Sequence, residues 1–231
     1  MAYTKPNGLH HLALSTGDMK SQIAFFTDVL GMELVALYWM HGVEGCWHGF
    51  LRLNETESVA FVNTPNNASI EPVMGVSHPG NPGESSAPGT MQHLSLNVDS
   101  MDELMEMRDR IRSRGVAVAG PIHHGFCSSI YFAGPENLAL EIATSHEMEH
   151  PLGGKTWIDP EVVALAGISD EELARYMHPK AYDGDRNLPQ PEASPDKPAM
   201  HFAPDAPDFT QMPDDVVTEM MSETTPPQPG E

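Results

Sequence analysis

The segment Leu9-His10-His11-Leu12-Ala13-Leu14 returns, in altered form, as Met91-Gln92-His93-Leu94-Ser95-Leu96, an offset of 82 residues from His11 to His93. A repeat on this scale means one supersecondary unit built twice, neither copy able to bury its apolar face alone. Both segments alternate as half-buried strands do. Each is followed by a turn and then by apolar residues at helical spacing.

The first helix is expected over about Asp18 to Leu30, with Ile23, Phe26 and Leu30 on one stripe and Gly31 as its stop. In the second copy Ser100 is an N-cap with Glu103 three residues on, which reads as a capping box. Met101, Leu104, Met105 and Ile111 form the stripe, and Gly115 ends it. Strands are expected at Glu33–Tyr38, Trp47–Leu53 and Ser58–Asn63 in the first copy. The second offers Val116–Ala119, Ser129–Ala133 and Leu138–Thr144. The fold class is therefore α+β, with two tandem β-α-β-β-β modules at 7–64 and 90–145. A Pro/Gly/Asn/Ser-rich linker loop at 65–89 joins them.

Past Ser145 the repeat stops, and 146–231 reads as a C-terminal helical and extended tail. Asp159-Pro160 starts one helix and Ser169-Asp170-Glu171-Glu172 is a capping box for another. Residues 187–231 carry nine acids, one base and 10 of the 21 prolines, so that stretch cannot build a core. Beyond Pro179 extended chain is expected, draped over the core or a partner subunit, or loose.

Composition narrows the function. With 33 acids against 12 bases the net charge is −21, which excludes a nucleic-acid backbone as partner. No apolar run reaches the ~18 residues of a membrane span, so no membrane partner is expected. Met1 to Pro6 holds no long apolar stretch, so no signal peptide is expected. Cys46 and Cys127 show no zinc spacing, and a reducing cytoplasm is the expected location.

Strand alternation puts His11 on a face with Leu9 and Ala13, and His93 on a face with Met91 and Ser95. Glu141 shares a face with Ala139 and Ala143, where a carboxylate is costly unless something pairs with it. A lone strand histidine is as a rule a satisfied core residue. Two histidines at matched repeat positions plus a carboxylate among alanines read instead as donors to a divalent metal. Such a set leaves coordination positions open.

Paired β-α-β-β-β modules with a His on each first strand and a Glu on the last strand of the second resemble the vicinal oxygen chelate superfamily. That group includes glyoxalase I, methylmalonyl-CoA epimerase, fosfomycin-resistance proteins, bleomycin-binding proteins and type I extradiol dioxygenases. The resemblance covers about residues 7–145. It implies a U-shaped mixed sheet around one metal site, with His11, His93 and Glu141 as ligands. It is closest to the extradiol dioxygenases, whose signature is matched by His124, Ile130-Tyr131, Pro135 and Glu141. Gly134 and Asn137 depart from it in a turn, where Asn can replace Gly at positive φ.

This resemblance implies an Fe(II) ion, with Mn(II) as the alternative, and a catechol-like aromatic substrate cleaved with O2. Tyr131 would hydrogen-bond the substrate oxygen and His124 would line the pocket, although alternation leaves open whether His123 or His124 points inward. The glutamate that glyoxalase I carries in the other module is absent, its place taken by Phe61. The further catalytic His of catechol-cleaving relatives is also absent, since that region reads Asn54-Glu55-Thr56-Glu57-Ser58. His48 is the substitute, or a partly exposed strand histidine. Trp39, Trp47, Phe50 and Phe126 are either ring-stacking substrate contacts or core. A homodimer or higher homo-oligomer is expected. Three other chemistries stay open: an isomerase or epimerase stabilising an enediolate, a thiol transferase, and a non-catalytic binder.

Overall fold

The computed structural model describes residues 4–204 and 206–228; Met1 to Tyr3, the tail acids Asp205 and Glu231, and residues 229–230 lie outside them. The first module runs β1 (His11–Ser15), α1 (Met19–Ala24), β2 (Glu33–Trp39), β3 (Trp47–Arg52) and β4 (Ser58–Asn63). The second runs β5 (Leu94–Asn97), α2 (Met101–Ser113), β6 (Val118–His123), β7 (Ser128–Ala133) and β8 (Ala139–Thr144). Each forms its own four-stranded mixed sheet, in the orders β1-β4-β3-β2 and β5-β8-β7-β6. The first strand of each module pairs in parallel with the last, and the remaining pairs are antiparallel. The two expected modules are in place, each as its own mixed sheet hydrogen-bonded within the module.

One core serves both. Leu14, Phe26, Leu51 and Phe61 from the first module cluster with Leu104, Ile111, Ile130 and Leu140 from the second. Full burial of each such side chain contributes about 1.5–3 kcal/mol, which neither half could gather alone. Phe25 also stacks on Phe132 across the seam, with ring centroids 6.4 Å apart.

The helix stops fall where the glycines put them: Gly31 and Gly115 both take positive φ, +83° and +81°. The first helix leaves α geometry early, and Phe25–Val29 form a wider π turn that sets Phe26 fully inside the core. Ser100 accepts from the Glu103 N–H, but the Glu103 carboxylate returns to the Asp99 N–H rather than to Ser100. The strand expected at Val116–Ala119 begins at Val118 and continues to His123. Gly120-Pro121, which reads as a strand stop, is absorbed as an irregularity between Ala119 and Ile122.

In the tail, α3 (Pro160–Leu165) and α4 (Asp170–Met177) form as expected, α4 on a complete Ser169/Glu172 capping box. The expectation of extended chain beyond Pro179 fails at α5 (Asp214–Met221), a short amphipathic helix that the proline-rich context hides. Its Met221 lies against Gly42, so the tail reaches the β2–β3 turn.

Candidate metal centre

Core-facing residues on β8 are Leu140, Ile142 and Thr144, so alternation turns Ala139, Glu141 and Ala143 to the other face. Register places Glu141 beside Ser95 of β5 on one flank and Tyr131 of β7 on the other. The carboxylate is only 6% exposed. His93, one residue before β5, brings Nε2 to 2.9 Å from Glu141 Oε2. Two of the three expected donors therefore face each other.

A second pair flanks the first. His124 Nε2 lies 2.9 Å from the Tyr131 hydroxyl. His124 is thus the histidine that turns to the site, while His123 bonds the Ser128 hydroxyl at 2.7 Å. Burial, and after it the nearby Glu141 carboxylate, push the Tyr131 phenol above its usual value despite an opposing hydrogen bond from Ser129. Tyr131 therefore keeps its proton at neutral pH. Phe126 sits edge-on to Trp157 at 5.3 Å, which brings the segment after the second module onto the turn that carries His124.

His11 belongs to the first sheet. It shares a face with Ala13, Ala60, His48 and Phe50, and its ring lies 5.5 Å from that of Phe50. Its Nδ1 contacts His10 Nδ1 at 2.9 Å. His48 packs between Tyr38 and Phe50, with both ring nitrogens buried and unpartnered among the described residues. Burial, reinforced by the neighbouring His11, lowers its pKa. Trp47 stands on the opposite face of β3, packed on the core and donating to Asn63 Oδ1 at 3.0 Å. It does not share the face of His48 and Phe50. Trp39, from edge strand β2, is 71% exposed.

Register also corrects the vacant glutamate position. Ser95 pairs with Glu141 as Ala13 pairs with Ala60, so Ala60 is the counterpart, and Phe61 faces the core. Counting along the sequence slips by one residue here, and a one-residue slip exchanges the two faces of a strand.

Glu136 was not singled out by sequence, although it bridges the two modules. In the turn before β8 it accepts from Thr16 Oγ1 at 2.5 Å, the Gly17 N–H at 2.7 Å and Gln22 Nε2 at 2.7 Å. Asn137 beside it takes φ +61°, the left-handed conformation expected of an Asn in a glycine position. A cavity of about 430 Å³ opens at this seam between Thr16, Glu136 and the linker residues Ile70 and His78; the His93–Glu141 pair does not line it.

Among the described residues no three His, Cys, Asp or Glu side chains stand close enough together to hold a metal ion jointly. The donors in place nevertheless suit a divalent ion in kind: a buried carboxylate facing an imidazole at 2.9 Å. His11 would have to complete the set from the first sheet.

The family model for the Glyoxalase/Bleomycin resistance protein/Dioxygenase superfamily matches residues 8–142. Biphenyl-2,3-diol 1,2-dioxygenase 2 of Rhodococcus globerulus is 26% identical over 132 residues, 57% of this chain and 60% of that protein. Biphenyl-2,3-diol 1,2-dioxygenase 3 of the same organism is 21% identical over 181 residues, 71% of this chain and 86% of that protein. This chain thus spans 60% of the length of the first relative and more of the second. Among solved structures, a glyoxylase/bleomycin resistance protein/dioxygenase domain from Frankia sp. EAN1pec is 18% identical. It covers 62% of this chain and 100% of its own, at a TM-score of 0.49.

Proposed function

Because the chain belongs to the glyoxalase/bleomycin resistance protein/dioxygenase superfamily, we propose that it is an extradiol-type dioxygenase that opens a catechol-like ring, using Fe(II) held by His93, Glu141 and His11. The observation that carries this reading is the His93–Glu141 pair with the Tyr131–His124 pair beside it on one sheet face. Similarity to two biphenyl-2,3-diol dioxygenases supports the same chemistry.

When bound, the ion would supply Lewis acidity to two adjacent substrate oxygens and a redox contact for O2. The protein's own groups do the rest. Tyr131 presents a protonated hydroxyl beside Glu141 and donates to a substrate oxygen. His124 Nε2, in contact with that hydroxyl, accepts or returns the proton. His48, kept neutral by burial, is a base on the first-sheet face beside His11. Phe50 on that face, and Phe126 beside His124, contact the aromatic ring.

The test is anaerobic purification, metal analysis and oxygen uptake over a panel of catechols. About one iron per chain, oxygen uptake and a yellow ring-opened product are expected. Bound metal without oxygen uptake would move the reading to an enediolate-stabilising isomerase. Retention of metal by Glu141→Ala would overturn the site itself.

A further inference from the structure

Gln92 lies between the linker and His93. Its Nε2 is 2.8 Å from the Pro82 carbonyl oxygen and 3.4 Å from that of Asn81. Carbonyl oxygens only accept, so chemistry fixes the amide: the NH2 end faces the linker. The other end, Oε1, therefore faces His93 Nδ1, with which it is hydrogen-bonded. An amide oxygen also only accepts, so Nδ1 must carry the hydrogen. The opposite nitrogen, Nε2, faces the Glu141 carboxylate at 2.9 Å, which also only accepts, so in the metal-free protein each ring nitrogen has its own acceptor.

We propose that Gln92 is a positioning residue, whose amide, clamped by the Asn81–Pro82 backbone, fixes the His93 ring with Nδ1 protonated and Nε2 turned to Glu141. Its consequence for metal binding rests on the reading of His93 as a ligand; the assignment of the ring hydrogen does not. A ligating imidazole needs its lone pair on the nitrogen that meets the ion, and a fixed acceptor behind the ring secures this. The linker is thereby part of the site: its backbone orients the amide that orients the ring.

The sequence hides this role, because Gln92 sits beside His93 in the chain and neighbours in a strand point to opposite faces. The pair lies one step ahead of β5, where the chain is not yet held by the ladder and adjacent side chains can meet.

The experiment uses the intact 231-residue chain, metal-free and with 15N-labelled histidine, as wild type, Gln92→Leu and Gln92→Glu. Glu keeps the acceptor for His93 but cannot donate to Pro82. Two-bond 1H–15N NMR is expected to show His93 Nδ1 protonated in wild type and in Gln92→Glu. In Gln92→Leu the ring should carry its hydrogen on Nε2, donated to Glu141. A bare Nδ1 in wild type, or the same Nδ1-protonated state in Gln92→Leu, overturns the proposal.

Zinc alone, titrated against a chelator, gives the second readout. Gln92→Leu should bind it about 10–100-fold more weakly than wild type, with Gln92→Glu, which keeps the acceptor but loses the clamp, falling between the two. Equal loss in both variants would mean that Gln92 only anchors the linker, and would overturn the proposal. Should wild type bind no zinc, iron or manganese, the ligand reading of His93 fails, and the ring-nitrogen result still decides the role of Gln92.

Discussion

Glu136 in the turn before β8 caps the loop after β1: its carboxylate takes the Gly17 N–H at 2.7 Å and the Thr16 hydroxyl at 2.5 Å. Those residues stand about 120 positions apart in the chain, so one side chain registers the two modules against each other. Gln22 Nε2 supplies a third donor from α1. Burial alone would raise the Glu136 pKa, but the hydrogen bonds from Thr16, Gln22 and Gly17 outweigh it and hold the carboxyl below its usual range.

Glu136→Ala leaves three donors unanswered at the seam. A loss of about 2–3 kcal/mol in urea unfolding is expected, since hydrogen bonds to a charged acceptor are the strong ones. A change within 0.5 kcal/mol of wild type, taking about that as noise, would show that the apolar contacts alone register the modules.

The pH dependence follows in sign. A carboxyl whose folded pKa is lowered contributes stability that is full above the unfolded value, about 4.3, and lost as pH falls through the folded value. Acid should therefore erode stability below about pH 5, and Glu136→Gln should flatten that slope. An identical slope in the variant would remove Glu136 from the acid response.

Asn137 at φ +61° tolerates glycine and resists β-branched residues. Asn137→Gly should change stability by less than about 0.5 kcal/mol, whereas Asn137→Val should cost about 1–2 kcal/mol. Thermal unfolding of the two side by side reads the difference directly.

His48 should separate stability from turnover. Among the described residues its ring nitrogens are buried without partners, and lost hydrogen bonds of this kind cost about 1–3 kcal/mol. His48→Leu is expected to leave the protein as stable or about 1 kcal/mol more so, and to lower the rate of the proposed ring opening. A lowered folded pKa also means that below about 6.5 the unfolded chain binds a proton the folded one refuses. Stability should then fall from about pH 6.5 downward in wild type and less so in His48→Leu. Unchanged turnover would exclude His48 as the base.

Gly125 has φ +86°, and a Cβ there would come within 2.6 Å of the Trp157 ring. Gly125→Ala should dislodge Trp157 and break its hydrogen bond to the His150 carbonyl. A red shift in tryptophan emission, and a raised KM if Phe126 contacts substrate, are the readouts. Unaltered emission would show the contact to be yielding.

The chain's own order of residues determined a good deal. The repeat, the glycine stops, the caps and the period-2 patterns are local, set by sterics and hydrogen bonding within a few residues. They sufficed to place Glu141 among alanines, away from the core face, and to make Asn137 a glycine substitute. Tertiary structure decided what depends on which strand lies beside which. Ala60 rather than Phe61 answers to Glu141, because register is fixed by cross-strand pairing and not by counting. His124 rather than His123 meets Tyr131, because the irregularity at Gly120-Pro121 resets the alternation that counting would carry through. The Glu136 clamp, and the tie from Pro82 through Gln92 to His93, join segments that carry no mark of each other in sequence. Each is a single polar group finding its donor or acceptor only once the core has brought two distant turns together.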